Sequence, residues 1–155
     1  AVREVEADAV MNIQGDQVMF DALAIAEMAA ELKRGCPMVT VAIKASEEDA
    51  VNPNAVKVVL DRQGYALYFS RALIPYRHAN GHATMLKHVG IYGFSRKTLD
   101  RFNQLPQSPL ELSESLEQLR ALENGIPIKV VIAEGVFRAI NTPQDRARII
   151  EQCRT

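Results

Sequence analysis

Asp21-Ala22-Leu23-Ala24-Ile25-Ala26-Glu27-Met28-Ala29-Ala30-Glu31-Leu32-Lys33, then Arg34-Gly35-Cys36-Pro37, then Met38-Val39-Thr40-Val41-Ala42-Ile43, is the stretch that decides the fold. Asp21 can accept a backbone N–H and cap a helix, to which Leu23, Ala26, Met28, Ala30 and Leu32 give apolar faces as far as Lys33. Gly35 stands where a glycine just past a helix end belongs. Residues 38–43 are short, apolar and rich in β-branched side chains, which predicts a strand. Helix and strand patterns therefore alternate, and the expected class is α/β.

The same alternation extends in both directions. Upstream, residues 10–13 read as a buried strand ending at Gly15-Asp16. Downstream, residues 46–50 read as a helical turn, 55–61 and 65–69 as two strands joined at Arg62-Gln63-Gly64, and 88–94 as another strand. Residues 77–85 read as a loop. Ser95 caps a helix expected to end near Leu105. Ser108-Pro109-Leu110-Glu111 places Ser at the cap, Pro at the first helical position and Glu two residues later. A single helix is expected from there to Gly125, with Leu112, Leu116, Leu119 and Leu122 on one face. A strand over 128–133 and a last helix from Thr142-Pro143-Gln144-Asp145 to about Cys153 complete the series. The expectation is a mixed sheet with helices on its faces.

Composition narrows the function classes. The 155 residues fit one domain, 1–155, with no linker or repeat. A hydrophobic fraction of 48% and a charged fraction of 24% are those of a soluble globular chain. The net charge of −1 gives no electrostatic case for nucleic acid or a membrane surface. No apolar run approaches the ~18 residues that span a bilayer, and the charged start of the chain has no signal-peptide core. Cys36 and Cys153 lack metal or CxxC spacing and read as free buried thiols, so a cytoplasmic location is expected. A glycine-rich phosphate loop, GxGxxG or P-loop, is not present in the sequence.

Seven segments, in order, carry a resemblance: Ile13-Gln14-Gly15-Asp16; Asn52-Pro53-Asn54-Ala55-Val56-Lys57-Val58-Val59; Ala66-Leu67-Tyr68-Phe69-Ser70-Arg71-Ala72-Leu73-Ile74-Pro75; His88-Val89-Gly90-Ile91-Tyr92-Gly93; Ser108-Pro109-Leu110-Glu111; Leu116-Glu117-Gln118-Leu119-Arg120; and Thr142-Pro143-Gln144-Asp145. Together they resemble the CMP-Kdo synthetases, over nearly the whole chain. The resemblance implies a Rossmann-like nucleotidyltransferase fold, here its C-terminal part. It implies transfer of CMP from CTP to the acid sugar Kdo with release of pyrophosphate, Mg²⁺ as cofactor, a place in lipopolysaccharide or capsule assembly, and a homodimer or higher oligomer.

The resemblance also assigns residues. Gln14, Arg71, His88, Tyr92, Glu117 and Gln118 match positions lining the sugar pocket, and a carboxylate-bearing sugar needs a forked cation and several hydrogen-bonding partners. Asp16 matches the metal-binding aspartate. Asn141 stands where the family has the second metal-binding aspartate, and Gln17-Val18 where it usually has Glu-Pro, so two formal charges are lost. Lys57 and Lys87 read as isolated cations that form no phosphate cradle. The family's N-terminal triphosphate loop and cytosine-recognising strands are not matched, and the sheet edge they would cover is expected to invite another chain. Two readings follow. In one, the chain is a cytidylyltransferase-like protein, inactive alone, that acts with CTP once a complementary N-terminal segment is supplied. In the other, it is a non-catalytic sugar-binding or assembly protein derived from that enzyme.

Overall fold

The computed structural model describes residues 6–15, 17–78, 83–135 and 137–139. A central six-stranded sheet organises them. Its strands are β1 (Ala9–Asn12), β3 (Met38–Lys44), β4 (Lys57–Leu60), β5 (Ala66–Ser70), β6 (Leu86–Ser95) and β7 (Ile128–Ala133). The order is β5-β4-β6-β3-β7, with β1 also on β6. A separate ribbon pairs β2 (Gln17–Met19) with β8 (Arg138–Ala139). The five helices among the described residues are α1 (Ala22–Lys33), α2 (Glu47–Val51), α3 (Arg96–Phe102), α4 (Pro109–Glu114) and α5 (Gln118–Glu123).

β3 lies between β6, antiparallel to it, and β7, parallel to it. Its first five residues are buried, which explains why it reads as an apolar run and not as an alternating one. On one face, Met28 and Leu32 of α1 pack with Val39, Val41, Val89, Ile91 and Val131. On the other face, Phe69, Tyr92, Phe94, Phe102, Leu116 and Leu119 form the larger core. Gly93 belongs to the α1 side: a Cβ there would sit 2.8 Å from Leu32 Cδ1, so the close approach of α1 depends on glycine.

Most local expectations match. Asp21 accepts from Leu23 N at 2.9 Å and caps α1, and Gly35 has φ +97° just past its end. Two expectations are corrected. The first strand, expected to be buried, is exposed at Ala9 and Asn12 and only half-buried at Val10 and Met11. The helix foreseen from Ser108 to Gly125 is two helices, broken at Ser115, which adopts the left-handed conformation with φ 52°. Leu116 N closes the turn on Glu111 O at 3.2 Å, the reach-back bond of a Schellman end. Leu112 is therefore exposed, and Glu117 and Gln118 sit at the start of α5, not in mid-helix. The last helix, Asp16 and Asn141 lie outside the described residues.

Candidate active site: an opening in the ladder of β6

β6 is ten residues long and shares one of its edges between two short strands. β1 covers it from Ser95 back to Tyr92, which pairs with Asn12. β4 covers it only at Lys87 and Leu86, and His88 N donates to Val56 O at 2.8 Å. Between the end of β1 and the start of β4, residues 89–91 pair with neither strand. The ladder to β3 is irregular at the same place, since Thr40 opposes Tyr92 while Val41 opposes Val89. Gly90 and Ile91 thus form a bulge, a common device for re-aiming side chains beside a functional site.

Three of the resemblance residues meet at this opening. The chain leaving β1 carries Gln14, whose Oε1 lies 3.9 Å from where a Cβ on Gly90 would stand. The His88 and Tyr92 rings are 5.4 Å apart, and Phe69 packs edge-on to His88 at 5.0 Å. The hydroxyl of Thr40 donates to Ile91 O at 2.7 Å, and His88 Nε2 lies 2.9 Å from Thr40 Oγ1. With its single proton directed to Ile91 O, Thr40 accepts from His88, which places a proton on Nε2 and, in the neutral ring, leaves Nδ1 as an acceptor. Burial favours the neutral ring and lowers the His88 pKa from 6.5 to about 3.

Two more come from α5. Tyr92 Oη donates to Gln118 Oε1 at 2.9 Å in the buried interior. Burial, and next the negative charge of Glu117, raise the Tyr92 pKa, so the phenol keeps its proton and its role as donor. Gln118 is 2% exposed, and its Nε2 has no hydrogen-bond partner among the described residues. Leaving a buried amide N–H unmade costs about 1–3 kcal/mol. Glu117 is exposed at the N-terminus of the same helix.

Arg71 is engaged differently. Its Nε donates to Glu114 O at 2.7 Å, Nη1 to Pro53 O at 3.0 Å and Nη2 to Ser115 O at 3.3 Å. It thereby caps the carbonyl end of α4, two residues before Glu117. A guanidinium has five N–H groups, so two are uncommitted among the described residues.

Sequence reasoning missed Thr40, a polar residue inside an apolar strand whose position is the one available signal. It also misread the lysines. Lys57 is fully buried and its ammonium meets three backbone carbonyls, while Lys87 pairs with Asp49 at 2.8 Å. An open apolar hollow of about 600 Å³, lined by Val18, Met19, Phe20, Asp21, Ala22 and Gly135, holds none of the expected residues. Among the described residues, no group of three or more His, Cys, Asp or Glu could hold a metal. No helix among them is long and apolar enough to cross a membrane.

The family described as Cytidylyltransferase matches residues 1–131. A 3-deoxy-manno-octulosonate cytidylyltransferase of Acidobacterium capsulatum is 44% identical over 97% of this chain and 62% of its own length. An 8-amino-3,8-dideoxy-manno-octulosonate cytidylyltransferase of Shewanella pealeana is 42% identical over 89% of this chain and 58% of its own. The solved structure of a CMP:2-keto-3-deoxy-manno-octonic acid synthetase complexed with CTP superposes with a TM-score of 0.90 at 35% identity, covering 99% of this chain and 66% of that one. The chain thus spans about three fifths of the length of the relatives it matches.

Proposed function

The chain belongs to the cytidylyltransferase family, and on that premise we propose that it supplies the acid-sugar side of a CMP transfer from CTP to Kdo or its 8-amino analogue, releasing pyrophosphate. The observation that carries this reading is the unpartnered Nε2 of Gln118, a buried donor at the end of the Tyr92–Gln118 hydrogen bond. A polyhydroxylated ligand provides the missing acceptor. Gln14, His88, Tyr92 and Glu117 add neutral and acidic partners for hydroxyls, and the two uncommitted N–H groups of Arg71 suit a carboxylate.

In such a transfer the protein contributes position and charge complementarity more than covalent chemistry. His88, neutral and fixed by Thr40, orients without competing for a proton. Mg²⁺, when bound, supplies charge neutralisation at the phosphates; its expected holders, Asp16 and Asn141, are outside the described residues, and no step is assigned to it. The loss of a carboxylate at Asn141 favours one second reading, sugar binding without turnover. Mg²⁺-dependent binding of CTP by the chain contradicts that second reading.

Titration calorimetry of Kdo into the chain tests the proposal. Saturable binding is expected, and Gln118→Leu, which removes both amide groups, should weaken it about tenfold or more. Equal binding by wild type and Gln118→Leu would remove Gln118 from the site, and no binding by the wild type would reject the sugar reading.

A further inference from the structure

Lys57 opens β4 one residue beyond the opening, and its relative exposure is 0%. Its Nζ donates to Ala55 O and Arg71 O at 2.6 Å each and to Asn52 O at 3.0 Å. Those are the three donors an ammonium has, and none goes to a carboxylate. A buried cation held by carbonyls alone is an expensive way to fill a core position, because a methionine there would carry no desolvation penalty. Local rules are broken in this manner chiefly where function requires it.

What the ammonium holds explains the choice. Two of its carbonyls belong to the loop at residues 52–55, and the third is that of Arg71. Arg71 returns to the same loop through Pro53 O and reaches forward to Glu114 O and Ser115 O. The Glu114 carboxylate accepts from Ser70 Oγ at 2.6 Å and from Arg71 N at 2.9 Å. Its own burial works to raise its pKa, but these bonds together outweigh burial and keep it ionised. One lattice thus ties a loop, the end of β5 and the left-handed turn at Ser115. Glu117 and Gln118 follow that turn by two and three residues.

We infer that Lys57 is a positioning residue of the sugar site, fixing the backbone of Arg71 and, through the Arg71–Glu114 lattice, the turn that presents Glu117 and Gln118. The inference rests on the sugar reading above. The ammonium touches no ligand; it acts through the residues it holds.

Kdo titration and urea unfolding of Lys57→Met, run beside the wild-type chain, test it. Affinity is expected to fall about tenfold or more, and the unfolding midpoint to fall as well, because the carbonyls of Asn52, Ala55 and Arg71 lose their charged donor. Val39→Ala, on the opposite face of the sheet, should lower the midpoint and leave affinity intact, which separates positioning from general loss of stability. Should Lys57→Met not fold, Lys57→Gln keeps donors for two of the three carbonyls and is expected to fold and bind more weakly than wild type. Wild-type affinity in a folded Lys57 variant overturns the inference and leaves the sugar reading standing. No binding by the wild-type chain overturns both.

Discussion

At His88 a polar side chain is made to serve as a neutral, oriented donor by its surroundings. Phe69 and Tyr92 pack against the ring, and Thr40 Oγ1 accepts a hydrogen bond from its Nε2–H. The pH dependence follows from the lowered pKa. A free imidazole titrates near 6.5 and this one near 3, so between those values the unfolded chain binds a proton that the folded chain refuses. The stability His88 permits is complete above pH 6.5 and declines as the pH drops toward 3. Urea unfolding at pH 7 and pH 4.5 should show wild type losing more stability than His88→Gln over that interval. Equal losses would show the ring to be protonated in the fold. The family pattern names His88, Tyr92 and Gln118 as candidates for a sugar site, but gives no signal for Thr40. One threonine in an apolar strand is ordinary in sequence; only the bulge of β6 brings the carbonyls of Val89 and Ile91 to its hydroxyl.

Among the elements, the break between α4 and α5 places the site most directly. The capping box at Ser108 and Glu111 was legible, and its Glu111 half is formed: the carboxylate accepts from Ser108 N at 3.2 Å, while Ser108 Oγ has no partner among the described residues. The break was not, because Ser115 carries no glycine signal and the leucines at 112, 116, 119 and 122 keep a helical spacing across it. What holds Ser115 in the left-handed region comes from outside the helix: Arg71, some forty residues away in sequence, takes the carbonyls of Glu114 and Ser115. The two helices are further joined by Arg120, which grips the Glu111 carboxylate at 2.7 and 2.5 Å and stacks 4.8 Å over Phe102. The hydrogen bonds from Arg120 hold the Glu111 pKa below its ordinary 4.5. Its contribution is therefore whole above pH 4.5 and is lost as acid carries the pH down through the folded value. Glu111→Gln is expected to cost about 3 kcal/mol at pH 7, since it strands a partly buried guanidinium. Unfolding curves should draw toward those of wild type as the pH falls from 4.5 through the lowered folded value. A constant difference across that range would assign the loss to packing and not to the ion pair.

For the molecule as a whole, the decisive fact is that two strands far apart in sequence share one edge of β6 and stop short of each other. The alternation of helices and strands, and hence the mixed sheet, could be read from periodicity and caps. Which strand neighbours which could not, because pairing is set by burial on both faces of β3 and by contacts in the central sheet between residues up to 90 positions apart, as Met38 and Ile128 are. The opening is a product of that pairing, and it gathers segments quoted separately from the sequence: the turn after β1, residues 88–92 and the start of α5. An acid sugar bound in this opening is expected to take the donor that Gln118 Nε2 leaves unpartnered among the described residues. Side-chain amide NMR of the isotopically labelled chain during addition of Kdo reads that contact at the atom concerned. The Gln118 and Gln14 amide signals and the His88 Nε2–H are expected to shift together and saturate, while signals around Tyr65 and Cys36, bonded to each other elsewhere in the fold, stay in place. Saturable binding that leaves Gln118 unmoved would contradict it.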